Sequence, residues 1–442
     1  MMPSYSEYKD SGIEWIGKIP AGWEVKRFCH LFSFSHGVHI TKSDFREKGV
    51  LCVTYGDIHS KGSSELNSNI HGLHSIDPAF LENEQNAKLK KGDFIFADTS
   101  EDREGAGNFT YLNSDITIMA GYHTIIAKPQ QSESTRFLSY FFDSLGFRSQ
   151  IRSRVYGVKV FSITKSILKN TKILLPPLAE QEAIAAYLDK KLSEIDTAVS
   201  NLQIQVEKLR TYKQQLIAET VTRGLDKTSV YKDSGIEWIG RIPAGWNVVK
   251  AKHIFNQRVN KGNEKVVLLA ASQALGMIPQ DKIEGAVKVK NDTNLQTFKT
   301  VCKNDFVISL RSFQGGFEIS KYEGVCSPAY KVFYSISEIC HRYFKRLFKS
   351  TVFVSKMNSI ASGIRDGRNI AYEDFSQAYI PFPPLAEQEA IAAYLDEKTT
   401  LIDTLIADIH RQIEQLKKYR KIIIHDAVTG RVKVPEVQNE NY

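Results

Sequence analysis

Two sequence motifs occur twice in this chain, and their repetition constrains the fold more strongly than any other feature. Residues 8–23 read YKDSGIEWIGKIPAGW, and residues 231–246 repeat this motif with one change from Lys to Arg. A second motif, PPLAEQEAIAAYLD, begins at Pro176 and recurs without change from Pro383. Repeats this far apart are typical of a duplicated domain rather than a solenoid, and the two copies are expected to be related by a pseudo-two-fold axis.

The two inserts between the repeated motifs, residues 24–170 and 247–377, hardly match each other. Both have the pattern of mixed α/β domains, with short β-rich runs that alternate with turns. The runs that we expect to form strands are residues 50–55, 94–97, 122–127, 266–270, 306–310 and 330–334. A weak similarity between residues 91–95 and 303–307 indicates that the inserts share a fold and differ in surface.

The expected fold class is α+β: two mixed α/β domains separated by two long antiparallel coiled-coil helices, in an internal pseudo-two-fold duplication. The expected domains are a framework segment with the first insert, the first long helix, the repeated framework segment with the second insert, and the second long helix with a C-terminal tail. Their expected bounds are residues 1–175, 176–226, 227–380 and 381–442.

Each PPLAEQ motif opens a long stretch without Pro or Gly, at about residues 179–222 and 386–429. Proline before such a stretch and glycine after it are boundary signals of a helix, and each helix would extend roughly 66 Å. Apolar residues recur at alternating spacings of four and three, the heptad pattern of a coiled coil. The predicted coiled-coil core comprises Leu188, Leu192, Ile195, Val199, Leu202, Val206 and Leu209 in the first helix, and Leu395, Ile402, Ile406, Ile409, Ile413 and Leu416 in the second.

Three polar residues interrupt the heptad pattern: Lys213 in the first helix, and Thr399 and Arg420 in the second. An amphipathic helix of this length needs a partner for its apolar stripe, and two-fold symmetry would make the other copy an antiparallel partner. Such a pair would hold the two inserts at a fixed distance. The alternative is that each helix packs only against its own insert.

Positive charge is concentrated in the second insert. The 442 residues carry a formal net charge of +8; Lys and Arg outnumber Asp and Glu by 20 to 11 in residues 247–377, but only by 18 to 16 in residues 24–170. A positive field of this size favours a polyanionic partner such as nucleic acid, and a merely soluble basic surface is the alternative.

The sequence shows neither an N-terminal signal peptide nor an apolar run long enough to span a bilayer, and its five cysteines lack CxxC spacing. We therefore expect a cytoplasmic protein with reduced cysteines and without a membrane partner.

Polar loops that contain Gly and Arg are the candidate nucleic-acid contacts. Arginine and glutamine bind base edges with two hydrogen bonds, and glycine lets the backbone approach a phosphate closely. The alternative for any single residue is a solvated surface charge. The candidate DNA-binding residues are Thr99, Ser100, Arg103, Arg152, Arg154 and Lys159 in the first insert, and Arg311, Ser312, Gln314, Arg365 and Arg368 in the second.

Motifs that would indicate catalysis are incomplete. The GxxxxGK run at residues 12–18 lacks the Ser or Thr of a phosphate-binding loop, and the second copy replaces its Lys with Arg. The HxxH pairs at residues 36–39 and 71–74 lack the additional ligands of a zinc site, so no metal site is expected. Neither a methyltransferase motif nor a nuclease carboxylate cluster accompanies them. We therefore expect a recognition component without an active site of its own.

The order of the motifs resembles a known family. A short aromatic segment that ends in IPxGW, a variable domain, and PLAEQxxIAxxLD at the start of a long helix all occur twice. This order resembles the specificity subunit of bacterial type I restriction-modification systems, and the resemblance covers essentially the whole chain.

The resemblance implies that the inserts are target recognition domains, each reading one half of a split double-stranded DNA sequence. Helices 179–222 and 386–429 would set the spacer and dock two methyltransferase subunits, and a restriction motor and nuclease subunit would join the complex. S-adenosylmethionine, ATP and Mg²⁺ would be bound by those partners and not by this chain. Since the inserts differ, the target is expected to be asymmetric, and the more basic second insert is expected to provide more of the phosphate-dependent affinity.

Two other classes of function remain open at this point. A self-contained restriction or modification enzyme would show turnover without partners. A coiled-coil adaptor that binds only protein would show no dependence on DNA.

Overall fold

The structure is a computed structural model. It describes residues 4–60, 65–66, 72–130, 133–157, 159–262, 267–283, 295–309, 316–360 and 370–435. The chain divides into two compact units. The first unit combines Met1–Asn201 with Gln412–Tyr442, and the second consists of Leu202–Arg411.

The first unit is built from short strands and helices that follow the framework motif. Its described strands are β1 Tyr8–Asp10, β2 Lys18–Pro20, β3 Glu24–Arg27, β4 Phe32–His36, β5 Val50–Val53, β6 Glu65–Leu66, β7 His74–Ile76, β8 Phe94–Ala97, β9 Thr99–Ser100, β10 Phe109–Leu112, β11 Ile118–Ala120, β12 Thr124–Pro129, β13 Phe161–Ser162 and β14 Lys172–Leu175. Its shorter described helices are α1 Tyr55–Ser60, α2 Ala79–Asn83, α3 Thr135–Asp143, α4 Leu145–Arg152 and α5 Lys165–Lys169.

The central sheet of the first unit has the strand order β4-β12-β8-β10-β6. Neighbouring strands are antiparallel except for β10 and β6. A second sheet has the order β11-β5-β7, and the pairs β1–β2, β3–β14 and β9–β13 form two-stranded ribbons. One face of the central sheet is covered by an aromatic core that contains Phe28, Phe94, Phe96, Phe142 and Phe147.

The long helix α6, Leu178–Arg223, leads into the second unit, and the second long helix is α10, Leu385–Val428. Between them lie strands β15 Tyr231–Asp233, β16 Arg241–Pro243, β17 Asn247–Lys250, β18 Phe255–Arg258, β19 Leu269–Ser272, β20 Gly276–Pro279, β21 Lys299–Val301, β22 Phe306–Ile308, β23 Phe317–Ile319, β24 Gly324–Cys326, β25 Lys331–Ser335 and β26 Tyr379–Phe382. The shorter α-helices described in this unit are α7 His341–Lys349, α8 Thr351–Ile360 and α9 Tyr372–Gln377.

The central sheet of the second unit has the order β18-β25-β22-β23 and is antiparallel throughout. It reproduces β4-β12-β8-β10 of the first unit strand for strand. An aromatic core again covers it, with Phe255, Phe306, Phe333, Phe348 and Phe375. The predicted shared fold of the two inserts is therefore confirmed, and the differences lie in the smaller sheets around this common core.

The long helices run antiparallel where they meet within each unit. In the first unit, Leu188 and Leu192, near the start of α6, share a core with Ile423, near the end of α10. In the second unit, Val221, near the end of α6, shares a core with Leu395, near the start of α10. In each unit, the beginning of one helix therefore packs beside the end of the other, as the two-fold argument predicts.

Burial follows the predicted heptad pattern along both helices. Of the predicted core residues, Leu188, Leu192, Ile195, Val206, Leu395, Ile402 and Ile413 are buried, and Val199, Leu202, Leu209, Ile406, Ile409 and Leu416 are half-buried. Among the interrupting residues, Thr399 is buried and its hydroxyl accepts a hydrogen bond from Arg346 (3.0 Å). Lys213 and Arg420 are half-buried.

Among the described residues, no helix combines the length and the apolar character that crossing a membrane would need.

Candidate nucleic-acid interface

The tryptophan that ends each short repeat is hydrogen-bonded to a glutamate of the PPLAEQ repeat. Trp23 is buried, and its Nε1 donates to Oε2 of Glu180 at 3.1 Å. Trp246 is likewise buried, and its Nε1 donates to Oε2 of Glu387 at 2.5 Å. A buried indole N–H needs an acceptor. The two repeated motifs are therefore parts of one structural element that each unit contains once.

The glutamine that follows this glutamate fixes the start of a helix in the insert of the same unit. Oε1 of Gln181 accepts from the backbone N–H of Ser134 at 3.1 Å, and Oε1 of Gln388 accepts from the backbone N–H of Cys340 at 2.9 Å. Ser134 and Cys340 are the residues that precede α3 and α7. Each glutamine also donates to the carbonyl of the first proline of its own motif, at 2.9 and 2.8 Å.

The aspartate that ends the second repeat binds arginines of the variable domain. Asp189 accepts from Nε of Arg136 at 2.7 Å and from the hydroxyl of Tyr140 at 2.5 Å. Asp396 pairs with Arg342 at 3.1 Å and with Arg346 at 2.7 Å. Guanidinium–carboxylate bonds of this kind define an orientation as well as a distance. We call the repeated set of Trp, Glu, Gln and Asp the framework clamp.

Residues 98–108 connect β8 to β10 at one end of the central sheet, and we call them the first recognition segment because they contain the candidate DNA-binding residues Thr99, Ser100 and Arg103. Within it, Thr99 and Ser100 form β9 and pair with β13, the strand that follows Arg152, Arg154 and Lys159 in the chain. The Arg103 guanidinium donates to the carbonyl of Arg152 at 3.0 and 3.1 Å. The structure therefore brings Thr99, Ser100, Arg103 and Arg152 together, although about fifty residues separate Arg103 from Arg152, the last residue of α4, in the sequence.

These four residues are not equally accessible. Ser100 is buried, and the side chain of Arg152 is only 18% exposed and pairs with Glu104 at 2.9 Å. Burial is the main cause of a lowered pKa for the Arg152 guanidinium, and the nearby charge of Arg148 adds to it. The arginine remains a cation at neutral pH because its ordinary pKa is very high. The contacts of Arg152 suit this residue to holding the segment in place. Arg103 is exposed and Thr99 is half-buried, so both are more accessible to solvent than Ser100.

The loop between α4 and β13 carries the other predicted residues of the first unit. Arg154 is exposed and donates to the carbonyl of Asn170 at 3.2 Å, and Lys159 is exposed. Between them lies Tyr156, which is 86% exposed and which the sequence analysis did not single out. A Cβ atom on Gly157 would lie 2.0 Å from the carbonyl oxygen of Val160, so this tight loop requires glycine.

The corresponding position in the second unit connects β22 to β23, as the weak sequence similarity predicts. Arg311, Ser312 and Gln314 of this connection lie outside the described residues, as do Arg365 and Arg368. At the base of the connection, the backbone N–H of Ser309 donates to the carbonyl of Gly316 at 2.8 Å.

A group of lysines lies close together on the second unit. Burial lowers the pKa of Lys299, and the positive charges of Lys331 and Lys261 lower it further. Positive charges that lower the pKa of a neighbouring ammonium group lie close enough to repel it. A bound polyanion would relieve that repulsion, which agrees with the basic composition of this insert.

Among the described residues, no group of three His, Cys, Asp or Glu side chains is arranged to hold a metal ion. All five cysteines are free thiols. Burial raises the pKa of Cys52 and of Cys326 to about 12, which suppresses thiolate formation at these two positions.

A family model for the type I restriction modification DNA specificity domain matches residues 20–208 and again residues 243–415. Both matches begin at the proline of the IPAGW motif and continue into a long helix, so each contains one framework clamp. The chain belongs to this specificity family.

Individual members of the specificity family match over nearly the whole chain. The putative type I restriction enzyme MjaX specificity subunit of Methanocaldococcus jannaschii is 25% identical over 434 residues, which cover 95% of this chain and 96% of the relative. The HsdS subunit of Thermoanaerobacter tengcongensis matches with a TM-score of 0.56 at 17% identity, over 94% of this chain and 98% of the other.

A third match is a chain from a structural study of complex assembly and conformational transition in the type I R-M system. It has a TM-score of 0.67 at 17% identity and covers 93% of this chain and 98% of the other. At this identity the structural matches establish the fold, and the family model establishes the membership.

A side-chain network that the sequence of this specificity-family chain did not predict lies behind the first recognition segment. His59 of α1, Asn108 at the end of the segment and Arg148 of α4 form consecutive hydrogen bonds. Local patterns gave no signal for this network, because its members lie 40 residues or more from one another in the chain.

Proposed function

We propose that this chain is the DNA-binding specificity subunit of a type I restriction-modification complex. It reads an asymmetric target in two halves, one with each unit, and directs adenine methylation and restriction that partner subunits carry out. Two methyltransferase subunits and restriction motor and nuclease subunits are the proposed partners. S-adenosylmethionine, ATP and Mg²⁺ belong to those partners in this proposal.

One observation carries the proposal: the same framework clamp holds two unlike recognition surfaces. Glu180 and Gln181 make the contacts that Glu387 and Gln388 make in the other unit. Asp189 and Asp396 each bind the arginine at the second position of a helix in the insert of the same unit, α3 or α7. A repeated frame that presents two different sets of loops is suited to reading sequence, because the loops can differ in specificity while the fold stays the same.

The difference between the two surfaces supports an asymmetric target. The first unit has α1 and a three-stranded sheet beside the common core, whereas the second has the two-stranded ribbons β19–β20 and β21–β24 there. Identical readers about a two-fold axis would select a palindrome. Different readers select two different half-sites.

Methylation mapping tests the proposal. The chain is co-expressed with its methyltransferase subunit in a host that lacks adenine methylation, and N6-methyladenine is then mapped across the genome. We expect one split motif with two unlike halves and a fixed gap. A palindromic motif would contradict the asymmetric reading.

Two other outcomes would support the competing functions. A stable complex without methylation would indicate a DNA adaptor of another kind, and the absence of both complex and DNA binding would favour an adaptor that binds only protein. The control is the purified chain alone with DNA, S-adenosylmethionine, ATP and Mg²⁺, for which we expect no turnover. Turnover by the chain alone would establish a self-contained enzyme.

A further inference from the structure

A directed chain of hydrogen bonds runs behind the first recognition segment. Nη1 of Arg148 lies 2.6 Å from Oδ1 of Asn108, and Nδ2 of Asn108 lies 3.0 Å from Nδ1 of His59. Nε2 of His59 lies 2.8 Å from the carbonyl oxygen of Thr99. Arg148 is itself held by Asp143 at 2.8 Å. We call this chain from Arg148 to Thr99 the relay.

The chemistry of the members fixes the direction of the relay. A guanidinium only donates, so the side-chain oxygen of Asn108 must face Arg148 and its amide N–H must face His59. Nδ1 of His59 then accepts and Nε2 carries the proton, which it donates to Thr99. Reversing any one member would place two donors or two acceptors against each other.

The relay contacts both ends of the recognition segment. Thr99 lies at its start and Asn108 at its end, and the backbone N–H of Ala97 donates to the carbonyl of Asn108 at 3.0 Å. The imidazole also lies close to Gly105 in the middle of the segment: a Cβ atom on Gly105 would lie 3.3 Å from Cε1 of His59. One imidazole therefore supports the beginning, middle and end of the segment.

We propose that His59 is a positioning residue that determines how the first unit reads its half-site. It contacts no base in this proposal. It fixes the path of residues 98–108, and hence the position from which Thr99 and Arg103 approach the DNA. This inference rests on the proposed function, because it requires the segment to contact DNA.

The second unit offers an internal reference for this role. None of its described residues between β18 and β22 forms an α-helix, so the described part of that unit has no counterpart of α1 or of the relay. A change at His59 is therefore expected to affect one half of the target and to leave the other half unchanged.

The test uses the full chain assembled with its methyltransferase subunits. His59→Phe keeps a planar ring but removes both hydrogen bonds, and His59→Gln restores one donor and one acceptor on the same side chain. His39→Gln, at an exposed histidine of the same unit, is the matched control. Each complex is assayed by methylation mapping and by its affinity, at one salt concentration, for a duplex that carries the wild-type motif.

We expect His59→Phe to bind the wild-type duplex about tenfold more weakly, since tenfold lies within the range of discrimination that one well-placed base contact provides. Its methylation motif becomes degenerate in one half only. His59→Gln stays within about threefold of the wild type, because both bonds can form again, and His39→Gln is unchanged.

An unchanged motif and affinity for His59→Phe would overturn the positioning role, while a split motif from the wild type would still uphold the proposed function. Absence of any split motif from the wild type would overturn both. If His59→Phe loses the folded circular dichroism signal, Asn108→Ala decides instead, because it keeps the ring and removes only the amide link. An unchanged motif in a folded Asn108→Ala complex overturns the role as well.

Discussion

Lys213 and Arg420 occupy equivalent positions in the two long helices, 207 residues apart, and each binds an aspartate of the other helix. Nζ of Lys213 lies 2.6 Å from Asp403 in the second unit, and Nε of Arg420 lies 3.4 Å from Asp196 in the first. The two aspartates are also 207 residues apart, from 196 to 403. Two of the three residues that interrupt the heptad pattern therefore form equivalent ion pairs, one in each unit, between antiparallel stretches of the two helices.

Reversing one of these charges is expected to weaken the helix pairing in its own unit. Lys213→Glu places two carboxylates together, and we expect the free energy of unfolding to fall by about 1 kcal/mol, the upper range for a partly exposed pair. The exchanged pair, Lys213→Asp with Asp403→Lys, should recover most of this loss. Denaturant unfolding measures both, with Lys208→Glu as the exposed control on the same helix. Equal losses for the single and exchanged variants would argue against a specific pair.

Removing the acceptor of a framework tryptophan is expected to destabilise its unit. Glu387→Ala leaves the buried indole N–H of Trp246 without its partner, and we expect a loss of about 2 kcal/mol. Glu387→Gln keeps an acceptor oxygen and should lose less than half as much. Thermal unfolding followed by tryptophan fluorescence distinguishes the two variants. A Gln variant as unstable as the Ala variant would show that the charge of Glu387, and not the hydrogen bond, matters.

The glycines that end the two long helices are expected to differ in their tolerance of alanine. Both have a positive φ, +75° at Gly224 and +71° at Gly430, which alone costs about 1 kcal/mol or more for alanine. A Cβ atom on Gly430 would lie 2.3 Å from Cδ of Pro20, whereas on Gly224 the nearest atom is 3.2 Å away, on Trp246. Gly430→Ala should therefore lower the melting temperature clearly more than Gly224→Ala. The reverse order would be inconsistent with this packing.

The buried Glu318 predicts a pH-dependent variant. Burial raises its pKa above the ordinary value of 4.5, and Lys349, at 2.5 Å, opposes the rise. Because the folded-state pKa exceeds the unfolded one, the contribution of Glu318 to stability is largest below about pH 4 and decreases as pH rises through the raised value. Lys349→Met removes the compensating charge, so we expect a loss of about 3 kcal/mol at pH 8 and a smaller loss at pH 5.

Unfolding of the Lys349→Met variant at the two pH values measures this effect. The double variant Glu318→Gln with Lys349→Met leaves no buried charge and should be more stable than Lys349→Met at pH 8. Lys417→Met, which removes an exposed ion pair on α10, is the control with no expected change. A loss that does not vary with pH would contradict the role of the carboxylate charge.

The lysine group of the second unit predicts a change in the salt dependence of DNA binding. If Lys331 contacts a phosphate, Lys331→Gln should reduce the slope of log affinity against log salt by about 0.9. The methylation motif should stay the same, because a phosphate contact carries no base information. A binding series between low and moderate salt measures the slope, with Lys9→Gln in the framework segment as the control. An unchanged slope would remove Lys331 from the interface.

Boundary signals in the sequence located the long helices closely. The predicted stretches, 179–222 and 386–429, differ by one residue at each end from Leu178–Arg223 and Leu385–Val428. Proline and glycine act locally, so their effect can be read without knowledge of the fold.

The strand predicted at residues 50–55 was too long, because it ends at Val53. The backbone N–H and the hydroxyl of Thr54 donate to Oδ2 of Asp57 at 2.9 and 2.8 Å. The chain therefore turns at Thr54, and α1 begins at Tyr55.

For the candidate interface, the sequence predicted which segments are involved but not the contacts between their side chains. The repeated position of the basic segments was visible in the sequence, and the shared strand order shows that the strands flanking residues 98–108 correspond to β22 and β23 of the second unit. Contacts such as Arg103 with the carbonyl of Arg152, or His59 with Asn108, join residues about fifty positions apart. No local periodicity encodes such pairs, because they depend on how the sheet brings its connections together.

The first unit contains residues from both ends of the chain, so a ribosome completes this unit last. All residues of the second unit, 202–411, emerge before the last part of the first unit, residues 412–442. Ile423, Ile424 and Val428 belong to the aromatic core of the first unit, and Gly430 packs against Trp23. The part of the chain that is synthesised first is therefore the part that must wait longest for its final packing partners.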